Sequence, residues 1–244
     1  MFKMACIGLC VGFFIVLGQP AVAQDVSITL GDDGSLATRS IQLFVLITLL
    51  SIVPGIAIMI TSFPFMVTVL SILRQGIGLQ QSPPNMLIVS LALFLTYFVM
   101  EPVFITAWSN GIDPLINGEI TIEQAFFQTL EPFRTFMSGR VAEDTFEELA
   151  TLRPALDPTL PIEDSPLSIL IPSFLLSEIE RAFQIGFLVF LPFLIIDLVV
   201  AAILMSMGMM MVPPAIVSLP FKLAFFVVAD GWSLIASSLV RSYF

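Results

Sequence analysis

From Ile41 to Leu73 the chain runs without one charged residue, well beyond the ~20 apolar residues that a bilayer-crossing helix needs. Such a segment has to be buried in lipid or in protein. In lipid its backbone N–H and C=O groups must all pair within the structure, which leaves helices or closed barrels. Three more long apolar runs follow, Met86–Trp108, Ile185–Met205 and Ala215–Val240, each of helix rather than barrel-strand length. The whole chain is 57% hydrophobic and 11% charged, against ~25% charged in a soluble domain, with a mean hydropathy of +1.02. The fold class that follows is an all-α membrane protein of helical hairpins, with helices broken by proline.

Composition also excludes chemistry. Histidine is absent, which removes histidine acid–base catalysis, Ser-His and Cys-His nucleophile pairs, and the commonest transition-metal ligand. Cys6 and Cys10 both lie near the amino terminus, so no disulfide framework or thiolate metal site is available further along. A formal charge of −10 lacks the basic stripe that nucleic acids require. The expectation is no enzyme, no cofactor and no metal.

Residues 1–23 have the three parts of a cleaved signal peptide: Lys3, an apolar core Ile7–Leu17, and Ala21-Val22-Ala23 before Gln24. An uncleaved first span is the competing reading, with a short run that ends in Gln19-Pro20. Residues 24–40 form a polar lead-in with a turn at Gly31–Gly34. Residues 41–108 make a first helical hairpin, in which Pro54-Gly55 and Pro64 interrupt the first run. Arg74 closes that run, and Gly76–Pro84 turns the chain. Glu101-Pro102, deep in the second run, points to a helix end or a protein-lined site.

Residues 109–168 are the sizeable polar segment, with eleven acids against Arg134, Arg140 and Arg153. Thr121 and Gln124 have capping-box spacing. Ile122, Phe126, Leu130, Phe133 and Met137 then recur at helical intervals. Asp144 and Glu147 are placed to cap a second short helix carrying Phe146 and Leu149. The segment reads as a small helical cap whose acidity is a solvated face or a docking surface. Signal cleavage puts this cap outside the membrane, and the turn after Ile185–Met205 inside. The few bases agree with the positive-inside rule.

Residues 169–244 form a second hairpin around the methionine stretch 205–214. Met205, Met207, Met209, Met210 and Met211 surround Gly208 and end at Pro213-Pro214. Thioether side chains are soft and unbranched, so the stretch is packing filler or a deformable seal. Gly208, Pro213 and Pro214 mark a hinged loop. Asp197, Lys222 and Asp230 lie inside apolar runs, where a charge at mid-bilayer costs at least ~2.5–3.5 kcal/mol. Counted from a hinge at Pro213, Asp197 and Asp230 stand ~24 Å and ~26 Å away and Lys222 ~14 Å. On that reckoning Lys222 needs a bend or a neighbouring chain to reach either acid. These residues read as a buried polar network that also takes in Glu101, as an ion path, or as a paired-aspartate protease site. The protease reading lacks its glycine-flanked motif, since the second acid sits in Ala229-Asp-Gly-Trp232.

Several strings together resemble the FliP family of flagellar type III export-gate proteins and their injectisome counterparts (FliP/SctR). They include Leu73-Arg-Gln-Gly-Ile-Gly, Ser82-Pro-Pro-Asn-Met-Leu-Ile and Ile171-Pro-Ser-Phe-Leu-Leu-Ser-Glu-Ile179. Leu191-Pro-Phe-Leu-Ile-Ile-Asp-Leu-Val-Val200, Ser206–Pro214, Ser218-Leu-Pro-Phe-Lys-Leu223 and Val228–Trp232 complete them. Two departures stand out: Phe65 where the family pattern has a basic residue, and Ser173 where it has alanine. The resemblance implies a multi-pass inner-membrane subunit of the flagellar basal body, pentameric and completed by FliR and FliQ into a helical pore complex. Unfolded export substrates would pass through it. It further implies a pore gasket at Met207, Met209, Met210 and Met211, and inter-subunit contacts at Glu178, Arg181 and Phe183. The acidic segment would be the outward, periplasmic cap. An injectisome subunit and an ion-coupled transporter using Asp197 and Asp230 are the alternatives.

Overall fold

A computed structural model describes residues 36–78, 83–153, 161–209 and 211–244. Signal cleavage at Ala23 and the lead-in up to Ser35 therefore lie outside the described residues. Helices occur throughout and no strand is found among the described residues, so the expected all-α membrane fold holds. By contact the chain divides into two units, residues 1–49 and 50–244.

Helix α1, Leu36–Met59, carries Pro54 without ending there. The helix instead stops at Ile60–Ser62, and α2 begins at Phe63–Ile77 with Pro64 in its first turn. That position suits proline, whose missing N–H would be unpaired at a helix start anyway. Only Pro64 therefore marks a boundary, and the expected interruption at Pro54-Gly55 is absent. Gly78 closes α2 at φ +86° and donates its N–H to Gln75 O. Arg74 Nη1 donates to Asn85 Oδ1, tying the end of α2 to the start of α3, Asn85–Ala107.

Helix α3 passes through Glu101-Pro102 without stopping, and Glu101 is exposed. A π-helical turn over Trp108–Ile112 and a short α4, Asp113–Ile116, extend it. Helix α5, Ile122–Ser138, opens with the capping box foreseen at Thr121 and Gln124. Its apolar stripe is buried at Met137 but exposed at Ile122 and Phe126. Helix α6, Glu143–Thr151, starts from Ala142, which has no side-chain cap. Glu143 and Asp144 lie in its first turn, where carboxylates complement the helix dipole. The N–H of Ala142 goes to Ser177 Oγ at 3.0 Å.

Helix α7, Leu167–Ser206, is 40 residues long and runs through Pro172 and Pro192. At 1.5 Å per residue it spans ~60 Å, twice a ~30 Å hydrocarbon core. Helices α8, Pro214–Val228, and α9, Gly231–Arg241, meet at a 62° bend. Three described helical stretches are long and apolar enough to cross a membrane, and α8 with α9 passes that test as a bent pair.

Two apolar clusters organise residues 50–244. The larger joins α2, α3, α7, α8 and α9 around Phe65, Leu70, Leu73, Ala92, Phe193 and Leu239. The smaller packs the cap onto the start of α7 through Met137, Phe146, Leu170 and Phe174. Contact between α2 and α7 is close at Gly186, where an added Cβ would stand 2.4 Å from Ile72 Cδ1.

Candidate functional site: a methionine turn between two buried ion-pair junctions

The methionine stretch is a helix cap followed by a proline start. Helix α7 ends at Ser206, and Gly208 adopts φ +75°. Gly208 N–H donates to Met205 O at 3.1 Å, and Met209 N–H to Leu204 O at 3.0 Å. This crossed pair of bonds around a left-handed residue is the Schellman arrangement. It explains why glycine is needed, since a Cβ penalises that backbone region. On the far side Pro213 is extended and Pro214 opens α8. The turn between these fixed ends presents Met207 at 66%, Met209 at 38% and Met211 at 97% exposure. Met210 lies outside the described residues.

Immediately behind the turn, Asp197 and Lys222 meet. Lys222 Nζ stands 2.6 Å from Asp197 Oδ2, and Ser218 Oγ donates to Asp197 Oδ1 at 2.5 Å. Lys222 Nζ also donates to Gly76 O at 3.1 Å, so the cation faces the carbonyl end of α2, where a helix favours positive charge. The lysine is buried and the aspartate partly exposed. Sequence counting placed Lys222 ~10 Å short of Asp197 because it gave the loop helical rise. Measured from the true helix ends, Asp197 is nine residues before Ser206 and Lys222 eight after Pro214, or ~14 and ~12 Å. No bend or second chain is needed.

Asp230 is elsewhere. It is exposed at the α8–α9 bend, with φ +47° and no capping bond. Neither it nor Glu101 joins Asp197 and Lys222 in a hydrogen bond or ion pair among the described residues. The four residues named for one network thus sit in three places.

A second junction lies ~42 Å from the far end of α7 at 1.5 Å per residue, where Glu178 is fully buried. Arg140 Nε donates to Glu178 Oε1 at 2.9 Å, with Arg181 Nη1 at 3.6 Å from the same oxygen. Tyr243 Oη donates to Glu178 Oε2. Arg140 Nη1 reaches Ser242 O at 2.8 Å, and its guanidinium stacks 4.1 Å over the Tyr243 ring. Phe65 meets the same ring edge-on at 5.5 Å, and Phe136 stacks on it at 6.0 Å. Burial pushes the Tyr243 phenol well above the usual tyrosine range, the Glu178 carboxylate adds to this, and Arg140 opposes it. Arg181 and Phe183, expected with Glu178 at a subunit boundary, remain partly and largely exposed.

Sequence reading missed Arg140, Ser218 and Tyr243. Their signal is spatial: Arg140 and Ser242 are 102 residues apart. Among the described residues no three or more His, Cys, Asp or Glu side chains are grouped to hold a metal.

The chain matches the FliP family over residues 46–239. It is 50% identical over 214 residues to the flagellar biosynthetic protein FliP of Agrobacterium fabrum, covering 86% of each chain. Against the FliP of Caulobacter vibrioides identity is 49% over 229 residues, covering 93% of this chain and 86% of the other. Against that of Bacillus subtilis it is 41% over 220 residues, covering 89% and 98%.

Proposed function

The chain belongs to the FliP family, and from that premise we propose that it is a pore-forming subunit of the flagellar protein export gate. It is a membrane component of flagellar biosynthesis, by the naming of its relatives and its membrane-length helices. On the finer reading five copies assemble with FliR and FliQ in the inner membrane at the flagellar basal body. The acidic cap then faces the periplasm. Unfolded substrates cross through the ring, and the methionine turns close around them. The flagellar branch is favoured over an injectisome by the relatives' names.

The observation that carries this reading is the turn itself. Its backbone is fixed at both ends, by the Gly208 cap and by Pro213-Pro214, while its thioethers are left exposed. Exposed, flexible, apolar side chains on a rigid hairpin tip suit a surface that must close on itself and on chains of any sequence. A transporter reading needs a free intramembrane acid, and Asp197 already has both oxygens engaged. A paired-aspartate protease needs Asp197 and Asp230 together, and they occupy different sites.

The test is capture of cargo. With cysteine at Met209 or Met211, and the native cysteines at positions 6 and 10 replaced, a stalled export substrate carrying one cysteine should crosslink to the subunit. Failure at both positions in an exporting complex would remove the gasket.

A further inference from the structure

The methionine turn carries chemistry as well as softness. Met207 and Met211 are exposed, whereas Met66, Met100 and Met137 are almost completely buried. Methionine oxidation follows access, and it turns a flexible apolar side chain into a polar one. What a sulfoxide would meet here can be read from the surroundings. Met207 lines a groove of about 510 Å³ between α7 and α8, walled by Ile195, Val199, Ile203, Val217 and Phe221. These side chains offer no hydrogen-bond donor. A polar oxygen placed against that wall has to find water instead, since an unpaired buried polar group is costly.

We propose that Met207, Met209 and Met211 form an oxidant-sensitive site, at which a hydroperoxide converts thioethers to sulfoxides and loosens the closed gate. The sulfur lone pair attacks one peroxide oxygen. The S–O bond forms as the O–O bond breaks, sulfur gives up two electrons, and the second oxygen leaves as water when the oxidant is hydrogen peroxide. A sulfoxide reductase reverses the step. The consequence for sealing rests on the gasket reading; the site's chemistry rests only on exposure and on the apolar groove.

The experiment uses the full-length protein in its native complex, reconstituted in lipid vesicles and exposed to dilute hydrogen peroxide. Peptide mass spectrometry should show one added oxygen on each turn methionine at least about tenfold faster than on Met66, Met100 or Met137. Leak of a small trapped dye should rise severalfold, fall back after reductase treatment, and be largely lost in a Met207→Leu, Met209→Leu, Met211→Leu variant. Equal oxidation rates at exposed and buried methionines would overturn the proposal. So would complete oxidation of the turn with unchanged leak. In that second case, unoxidised vesicles of a variant with alanine at the same three positions identify the failed premise. If they leak, the gasket stands and only the oxidation switch falls; if they stay tight, both fall.

Discussion

The two ends of α7 carry the same kind of interaction in opposite settings. Near its start a buried glutamate is held by Arg140, Arg181 and Tyr243, inside a shell of aromatic rings. Near its end a partly exposed aspartate is held by Lys222 and Ser218, beside a turn of uncovered methionines. The first junction joins the cap turn, α7 and the chain's last residues into one body. The second fastens three helices and leaves the thioether side chains of the turn beyond them uncovered. The gate proposed above needs both, a frame that does not give and side chains at its edge that do.

Breaking the frame should have the largest effect. Arg140→Ala leaves Glu178 buried with only the longer Arg181 contact and Tyr243. Truncating one partner of a buried pair costs ~3–5 kcal/mol, and Arg181 should hold the loss to about 3 kcal/mol. A fall in the thermal midpoint of the detergent-solubilised complex would record it, and an unchanged midpoint would mean the junction is not structural. Asp197→Asn removes the negative partner of the buried Lys222 ammonium, which keeps its bond to Gly76 O, and Asp197 is 37% exposed at its side chain, so water screens part of the pair. A smaller loss of about 2 kcal/mol is expected by the same measurement. If Asp197→Asn proved more damaging than Arg140→Ala, the order of the two ends would be reversed.

Ser173 sharpens the contrast in the other direction. Its hydroxyl is buried at the frame end without a hydrogen-bond partner. Ser173→Ala removes an orphan polar group and should stabilise the protein by about 1 kcal/mol. The same end should also respond to alkaline pH. Folding keeps the Tyr243 proton on, whereas the unfolded chain loses it near pH 10. Between that point and the raised folded value the native state binds the extra proton, so stability falls as pH rises above ~10. In Tyr243→Phe the slope due to this group should vanish, although the Glu178 hydrogen bond is lost as well.

Much of this was legible in the chain. The charge-free run after Ile41 dictated membrane-length helices, and Thr121 with Gln124 located a helix start. Gly208 and Pro213-Pro214 marked the turn. Local chemistry accounts for all of these. The failures were of another kind. Pro54 and Pro102 read as interruptions, yet both helices run through them, because an interior proline removes one backbone bond and can kink a helix without ending it. Asp197 and Lys222 were misaligned because helical rise was counted through a non-helical turn. Arg140 looked like one of three cap bases, since nothing in the sequence announces a contact reaching Ser242. Phe65, read from the resemblance as a departure from the family pattern, is an edge-on partner for Tyr243.

The central claim is that α7 yields at its methionine end and holds at its glutamate end while a chain passes. Amide hydrogen exchange, read along α7 in the assembled complex with and without a stalled export substrate, tests it directly. Protection should change across residues 205–213 and stay constant around Glu178 and Arg181. A change around Glu178 with none at the methionine turn would contradict the account.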